Sequence, residues 1–134
     1  MTKLVEIEGI GETYAGKLEA AGVTSVEDLL EKGSTPKGRK QLEADSDISG
    51  KLILRWVNMA DLFRIKGVGE EYADLLEAAG VDTVPELAQR NSDNLAAKMA
   101  EVNEEKKLVR QVPGAGSVAK WVAEAKELDR VVTY

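Results

Sequence analysis

Apolar positions recur along the chain with the spacing of helices, and nowhere with the alternation of a half-buried strand. Tyr14, Ala15, Leu18 and Ala21 share one face of a first helix, and Tyr72, Ala73, Leu76 and Ala79 share a face of a later one. Gly22 and Gly80 follow as stop residues, where a helix end takes a left-handed conformation. Ser25-x-x-Asp28 and Thr83-x-x-Glu86 then open two further helices as capping boxes: the hydroxyl accepts from a first-turn N–H and the acid reaches back to the cap residue. Thr35-Pro36 reads as a cap followed by proline at the first helical position, opening a helix to about Ala44. Leu52, Ile53, Trp56, Val57, Ala60 and Phe63 form a stripe along a longer helix from about Ser49 to Phe63. Val118, Trp121, Val122, Ala125 and Leu128 do so along a last helix, from about Ser117 to Asp129. The predicted class is all-α with about eight short helices; only Val131-Val132-Thr133-Tyr134 favours strand.

The same pattern occurs twice. Residues 7–30 (IEGIGETYAGKLEAAGVTSVEDLL) align with residues 65–88 (IKGVGEEYADLLEAAGVDTVPELA) at a constant offset of 58, with 14 of 24 positions identical. Composition alone would give about one or two such matches, so the chain contains a duplication. At the same offset KGSTPKGRKQLEAD lines up with RNSDNLAAKMAEVN. Beyond it the second copy needs about seven extra residues before Trp121-Val122 matches Trp56-Val57. The extra residues are expected around EEKKLVRQVPGAGS, where Pro113-Gly114-Ala115-Gly116 is the most loop-like stretch. The expected organisation is a single domain of residues 1–134, with one repeat in 1–61, another in 62–134, pseudo-two-fold symmetry and a connector helix at about 49–63.

Composition removes most chemistry. The 134 residues include no Cys and no His, which excludes disulfides, thiol nucleophiles, Cys-type zinc sites and His-based triads. No phosphate-loop, nucleophile-elbow or metal-loop spacing occurs, so neither enzymatic activity, a cofactor nor a metal is expected. No run is apolar enough to cross a membrane and the first residues lack the apolar core of a secretory signal, so a cytoplasmic protein is expected. The net charge of −6, shared evenly by the halves, is unfavourable for a general nucleic-acid binder. Six aromatic residues leave few candidates for a base-stacking surface. Trp56 and Trp121, at matched positions within apolar stripes, read as core.

Each repeat opens with Gly-apolar-Gly before a helix. Two glycines let the chain turn tightly while Ile10 or Val68 plugs the core beneath. Gly11 and Gly69 are expected to hold backbone geometry that a side chain would not accept. The pattern apolar-x-Gly-apolar-Gly-x-x-x-Ala-x-x-Leu resembles the helix-hairpin-helix motif, matched by Ile7, Gly9, Ile10, Gly11, Ala15 and Leu18 and again by Ile65, Gly67, Val68, Gly69, Ala73 and Leu76. Over nearly its whole length, including TPKGRKQL, LRWVNMADLFRIKGVGEEYADLLEAAGV and VVTY, the chain is similar to a bacterial family of tandem helix-hairpin-helix proteins, domain of unknown function number 4332. The resemblance implies a fold of two fused, SAM-like repeats. It also implies hairpin amides at Gly9, Ile10, Gly11, Gly67, Val68 and Gly69 that hold backbone phosphates without reading bases.

The local charges oppose that role. Glu12 follows the first hairpin, Glu70 and Glu71 follow the second, and Glu6 and Glu8 precede the first. Acids there already complement the positive helix end and would repel phosphate. Arg64 and Lys66, just before the second hairpin, make it the better candidate. Lys37, Arg39 and Lys40 surround Gly38 at the start of the Pro36 helix, against the helix dipole, and form a possible second anion patch. Arg55, Asn58, Asp61 and Arg64 recur at three-residue spacing, which allows a local ion-pair and amide network. The sequence therefore points to binding without chemistry. A protein-interaction or scaffold module is favoured by the acidity, and weak, nonspecific DNA or RNA backbone binding is the alternative. The oligomeric state is not legible.

Overall fold

Capping and stop signals place the elements. In the computed structural model, which describes residues 2–134, a 3₁₀ turn at Leu4–Glu6 precedes α1 (Glu12–Ala20), α2 (Val26–Lys32), α3 (Pro36–Ser46), α4 (Gly50–Leu62), α5 (Glu70–Ala78), α6 (Val84–Ala88), α7 (Ser92–Lys106) and α8 (Ala115–Glu127). No strand occurs among the described residues, and the protein is all-α. No helix among them is long and apolar enough to cross a membrane.

The ends of α1 and α5 are closed identically. Gly22 and Gly80 take φ +91° and +96°. Val23 N–H donates to Leu18 O and Gly22 N–H to Glu19 O; Val81 and Gly80 repeat this on Leu76 and Glu77. This is the Schellman arrangement, in which two end carbonyls are satisfied and the following apolar residue packs back on the helix. The hydroxyls of Ser25 and Thr83 accept from the N–H of Asp28 and Glu86. The acids reach one residue further back than expected, to the N–H of Thr24 and Asp82.

By packing, the chain forms two compact units: residues up to Asp61 together with Val131–Tyr134, and Leu62–Arg130. The terminal segment, counted with the second repeat in the sequence, packs in the first unit. There it is extended rather than paired as a strand, and Thr133 N–H donates to Ser34 O at 2.8 Å. In the first unit the core gathers Ile7, Leu18, Leu29, Ile53 and Trp56; in the second, Ile65, Leu76, Leu87, Leu95 and Val118. Tyr14 packs edge-on against Trp56 with centroids 5.0 Å apart, and Tyr72 packs against Trp121 at 5.3 Å.

The constant offset fails after α6. The N-caps of α3 and α7 are Thr35 and Asn91, 56 positions apart rather than 58, because α6 is two residues shorter than α2. Asn91 accepts from Asn94 N–H and starts α7 early. The buried faces follow: Arg39, Leu42 and Ser46 in α3, but Leu95, Met99 and Val102 in α7. The extra residues of the second copy go partly into α7, which runs to Lys106. The rest form a loop pinned by the Asn103 amide on both backbone groups of Val109 and by the Tyr72 hydroxyl on Gln111 O. Helix α8 begins at Ala115, inside the stretch expected to be loop, because Gly114 serves as its N-cap directly after Pro113.

Candidate functional site

The two Gly-apolar-Gly turns have one geometry. Ile10 N–H donates to Ile7 O, and Val68 N–H to Ile65 O, both at 3.1 Å. Gly9 and Gly67 occupy the third position of these four-residue turns at φ +96° and +91°, the place a type II turn reserves for glycine. Each is held from outside by the indole of its own unit. A β-carbon on Gly9 would lie 3.3 Å from Trp56 Nε1, and one on Gly67 would lie 3.4 Å from Trp121 Nε1. Ile10 and Val68 are buried under the turns, as their pattern predicts.

Gly11 and Gly69 are a correction. Their φ values of −90° and −110° belong to extended backbone that any residue adopts, and nothing lies within 4 Å of a β-carbon at either. The motif places two glycines around one apolar residue without marking which carries the left-handed bond; the turn places it on the first. The second glycine is instead the N-cap of α1 or α5, and neither helix has a side-chain cap. Their first-turn N–H groups thus have no acceptor within the helix, and the first-turn acids Glu12, or Glu70 and Glu71, complement them.

The basic residues expected to support these turns are largely engaged elsewhere. Arg64 donates to Asp129 O at 2.9 Å. Lys66 is exposed, but its backbone N–H faces the Glu124 carboxylate, at 3.2 and 3.3 Å from the two oxygens. Arg39 is buried: Nη1 donates to Gly33 O at 2.8 Å, Nη2 donates to Thr133 O at 2.6 Å, and the guanidinium lies 5.6 Å from the Tyr134 ring centroid. It is therefore a structural clamp and leaves the proposed anion patch. Lys37 and Lys40 remain exposed, lining a shallow groove of about 390 Å³ with Pro36 and Gln41. In the row along α4, Asp61 is buried, and Asn58 accepts from the Tyr134 hydroxyl at 2.8 Å.

A family description, domain of unknown function (DUF4332), matches residues 8–128. The chain belongs to this family. No curated protein and no solved structure matches it. The DUF4332 match takes in the glycines of both turns and stops short of the segment that Arg39 clamps. Glu124 and the Arg39–Tyr134 contact were missed in the sequence. Their only signals there were the terminal resemblance to strand and an arginine at a helix start. Glu124 lies 58 residues from the amide it meets, with no pattern joining them.

Proposed function

We propose that this DUF4332 chain is a non-catalytic module of two helix-hairpin-helix repeats that binds a protein partner in the cytoplasm. The observation that carries this reading is the Glu124 carboxylate at the Lys66 amide. The turn with the best basic support already faces an anion of its own chain, and Glu70 and Glu71 stand on the next turn of backbone. A phosphate placed there would meet three carboxylates, and phosphate neutralisation is what drives nonspecific nucleic-acid binding. Without His or Cys, the commonest neutral-pH base and the most reactive nucleophile are also missing.

A weak nucleic-acid backbone contact is the second reading, favoured by the N-termini of α1 and α5, which lack side-chain caps. Fluorescence anisotropy with a labelled duplex and a labelled single strand, across a salt series, separates the two. The protein-binding module leaves both probes unbound even at low salt. Binding that weakens linearly in log salt would overturn it. Glu70→Lys with Glu71→Lys and Glu124→Gln should create binding of that salt-dependent kind, because they remove the repulsion.

A further inference from the structure

In the first unit, the space between the α2–α3 turn and α4 is filled by the chain itself. Thr133 donates its N–H and its hydroxyl to Ser34 O at 2.8 and 3.2 Å. Val132 is buried, and the Tyr134 hydroxyl donates to Asn58 Oδ1 on α4. The second unit leaves the corresponding space open. Between the α6–α7 turn and α8 lies a groove of about 520 Å³, lined by Arg90 and Ser92 on one side and Ala119, Val122, Ala123 and Lys126 on the other.

Three differences explain why the two spaces do not suit the same occupant. Helix α6 is two residues shorter than α2, so the connection of the second unit places Arg90 before the N-cap where the first has Ser34, and Ser92 at the start of α7 lines the groove. Asn58 is matched by Ala123, so the acceptor for a hydroxyl is replaced by a methyl group. Arg39, four residues after its N-cap, is matched by the buried Leu95. The first groove presents the acceptors Ser34 O and Asn58 Oδ1 and one cationic donor, Arg39, which meets Thr133 O. The second presents donors: Arg90, Lys126 and the opening N–H groups of α7, over a floor of Ala119, Val122 and Ala123. Glu127 also lines it, and Asp93 in the first turn of α7 complements that helix end, so the positive character of the lining rests on Arg90 and Lys126 against one carboxylate.

We propose that this groove docks an extended acidic segment of a partner protein, its apolar side chain on Val122 and the two alanines and its carboxylate toward Arg90 and Lys126. The proposal rests on the protein-binding reading and names the site and chemistry of that partner. The apolar floor favours a peptide over a phosphate backbone, which has nothing to place there. The chemistry disfavours a second copy, because the side chains of Asp129-Arg130-Val131-Val132-Thr133-Tyr134 are neutral overall and its polar contacts in the first unit use Ser34, Asn58 and Arg39, the last two of which are matched by Ala123 and Leu95 in the second.

The test is titration of the ¹⁵N-labelled full chain with acetyl-Asp-Val-Val-Glu-Asp amide, followed by amide chemical shifts. Saturable shifts centred on Ser92, Ala119 and Ala123 are expected, weakening with salt. Lys126→Glu should weaken them about fivefold, the scale of one exposed ion pair. Ala119→Trp, at an exposed position, should abolish them by filling the groove without touching either cation. Equal shifts with acetyl-Lys-Val-Val-Lys-Lys amide, stronger binding of a single-stranded oligonucleotide at the same residues, or no shifts at all would overturn the proposal. Shifts centred on Lys37 and Lys40 would overturn the groove while leaving the protein-binding reading intact. Duplex binding at the Gly67 turn would instead overturn that reading, with the groove still judged by its own shifts.

Discussion

The two units share a turn, an indole packed on it and a Schellman end, yet their surroundings differ wherever the duplicated pattern stops. In the first unit the residue matched to Glu124 is Met59, which has no carboxylate to offer the Glu8 amide. There, too, the chain's last residues cover Ser34 and Arg39. In the second unit an acid meets the turn and a groove stays open. Duplication preserved what holds the turn, namely φ at Gly9 and Gly67 and the indole beside each, and left its neighbours to diverge. The conserved geometry therefore reports on stability, and the divergent edges carry the functional readings.

The largest effects should be shared by both units. Trp56 and Trp121 are buried in matched places, so either Trp→Ala should cost about 3–5 kcal/mol in urea denaturation. Trp56→Phe sharpens the comparison. Trp56 Nε1 is buried without a hydrogen-bond partner among the described residues, a costly state that phenylalanine removes. That variant should therefore lose much less than Trp56→Ala. Equal losses would mean that the indole nitrogen contributes more than its surroundings account for.

Next come the glycines, where the comparison runs within each turn. Gly9→Ala and Gly67→Ala place a side chain at positive φ and against an indole nitrogen, and should each cost on the order of 1–2 kcal/mol. Gly11→Ala and Gly69→Ala, at extended backbone with open space, should stay within about 0.5 kcal/mol. Thermal or chemical denaturation of the four variants decides it. A larger loss at Gly11 or Gly69 would contradict the assignment of the strained position.

What was legible in the sequence was local. Ser25, Thr83 and Thr35 are caps because their hydroxyls meet N–H groups three residues on, and Gly22 and Gly80 end helices because the next residue packs back; such relations lie within a few positions. The apolar stripe of α4 was legible for the same reason, although Met59 and Leu62 are buried beyond it. The early start of α7 was not legible, because Asn91 and Asp93 are both good caps and only packing chooses between them. Nor was the fate of Arg39. In sequence it belongs with Lys37 and Lys40, but its partners are Gly33 O and a carbonyl 94 residues away. The candidate site suffered most, since Glu124 and the segment at 131–134 act across such distances.

The third prediction tests that segment. Tyr134→Phe removes one hydroxyl-to-amide hydrogen bond to Asn58 and should lower stability by about 0.5–1.5 kcal/mol. Amide hydrogen exchange should rise around Ser34 and Thr133 and stay unchanged around Trp121. Exchange that rises equally in both units would mean that the segment's contribution is not confined to the first.

The smallest effect sits where the units differ by one residue. Thr24 and Asp82 occupy matched positions before a capping hydroxyl, and both N–H groups donate to the acid four residues on. Thr24 adds a hydroxyl to that acid at 3.5 Å. Asp82 instead brings a second carboxylate. Partial burial, then Glu86 and then Glu77, hold its pKa above the ordinary 3.8. A carboxyl whose pKa is raised by folding binds its proton more tightly in the native state. Its contribution is then most favourable below pH 3.8 and is lost as pH rises through the raised native value, above which a constant penalty remains. Asp82→Asn should remove that penalty and stabilise the protein at neutral pH by roughly 0.2–0.5 kcal/mol, the scale of a like-charge pair four residues apart on a helix. The gain should shrink as pH falls through the raised value and vanish below the ordinary carboxylate range. Urea midpoints of both proteins at neutral and acid pH would show it, and a gain independent of pH would assign the effect to the amide's hydrogen bonds rather than to the lost charge.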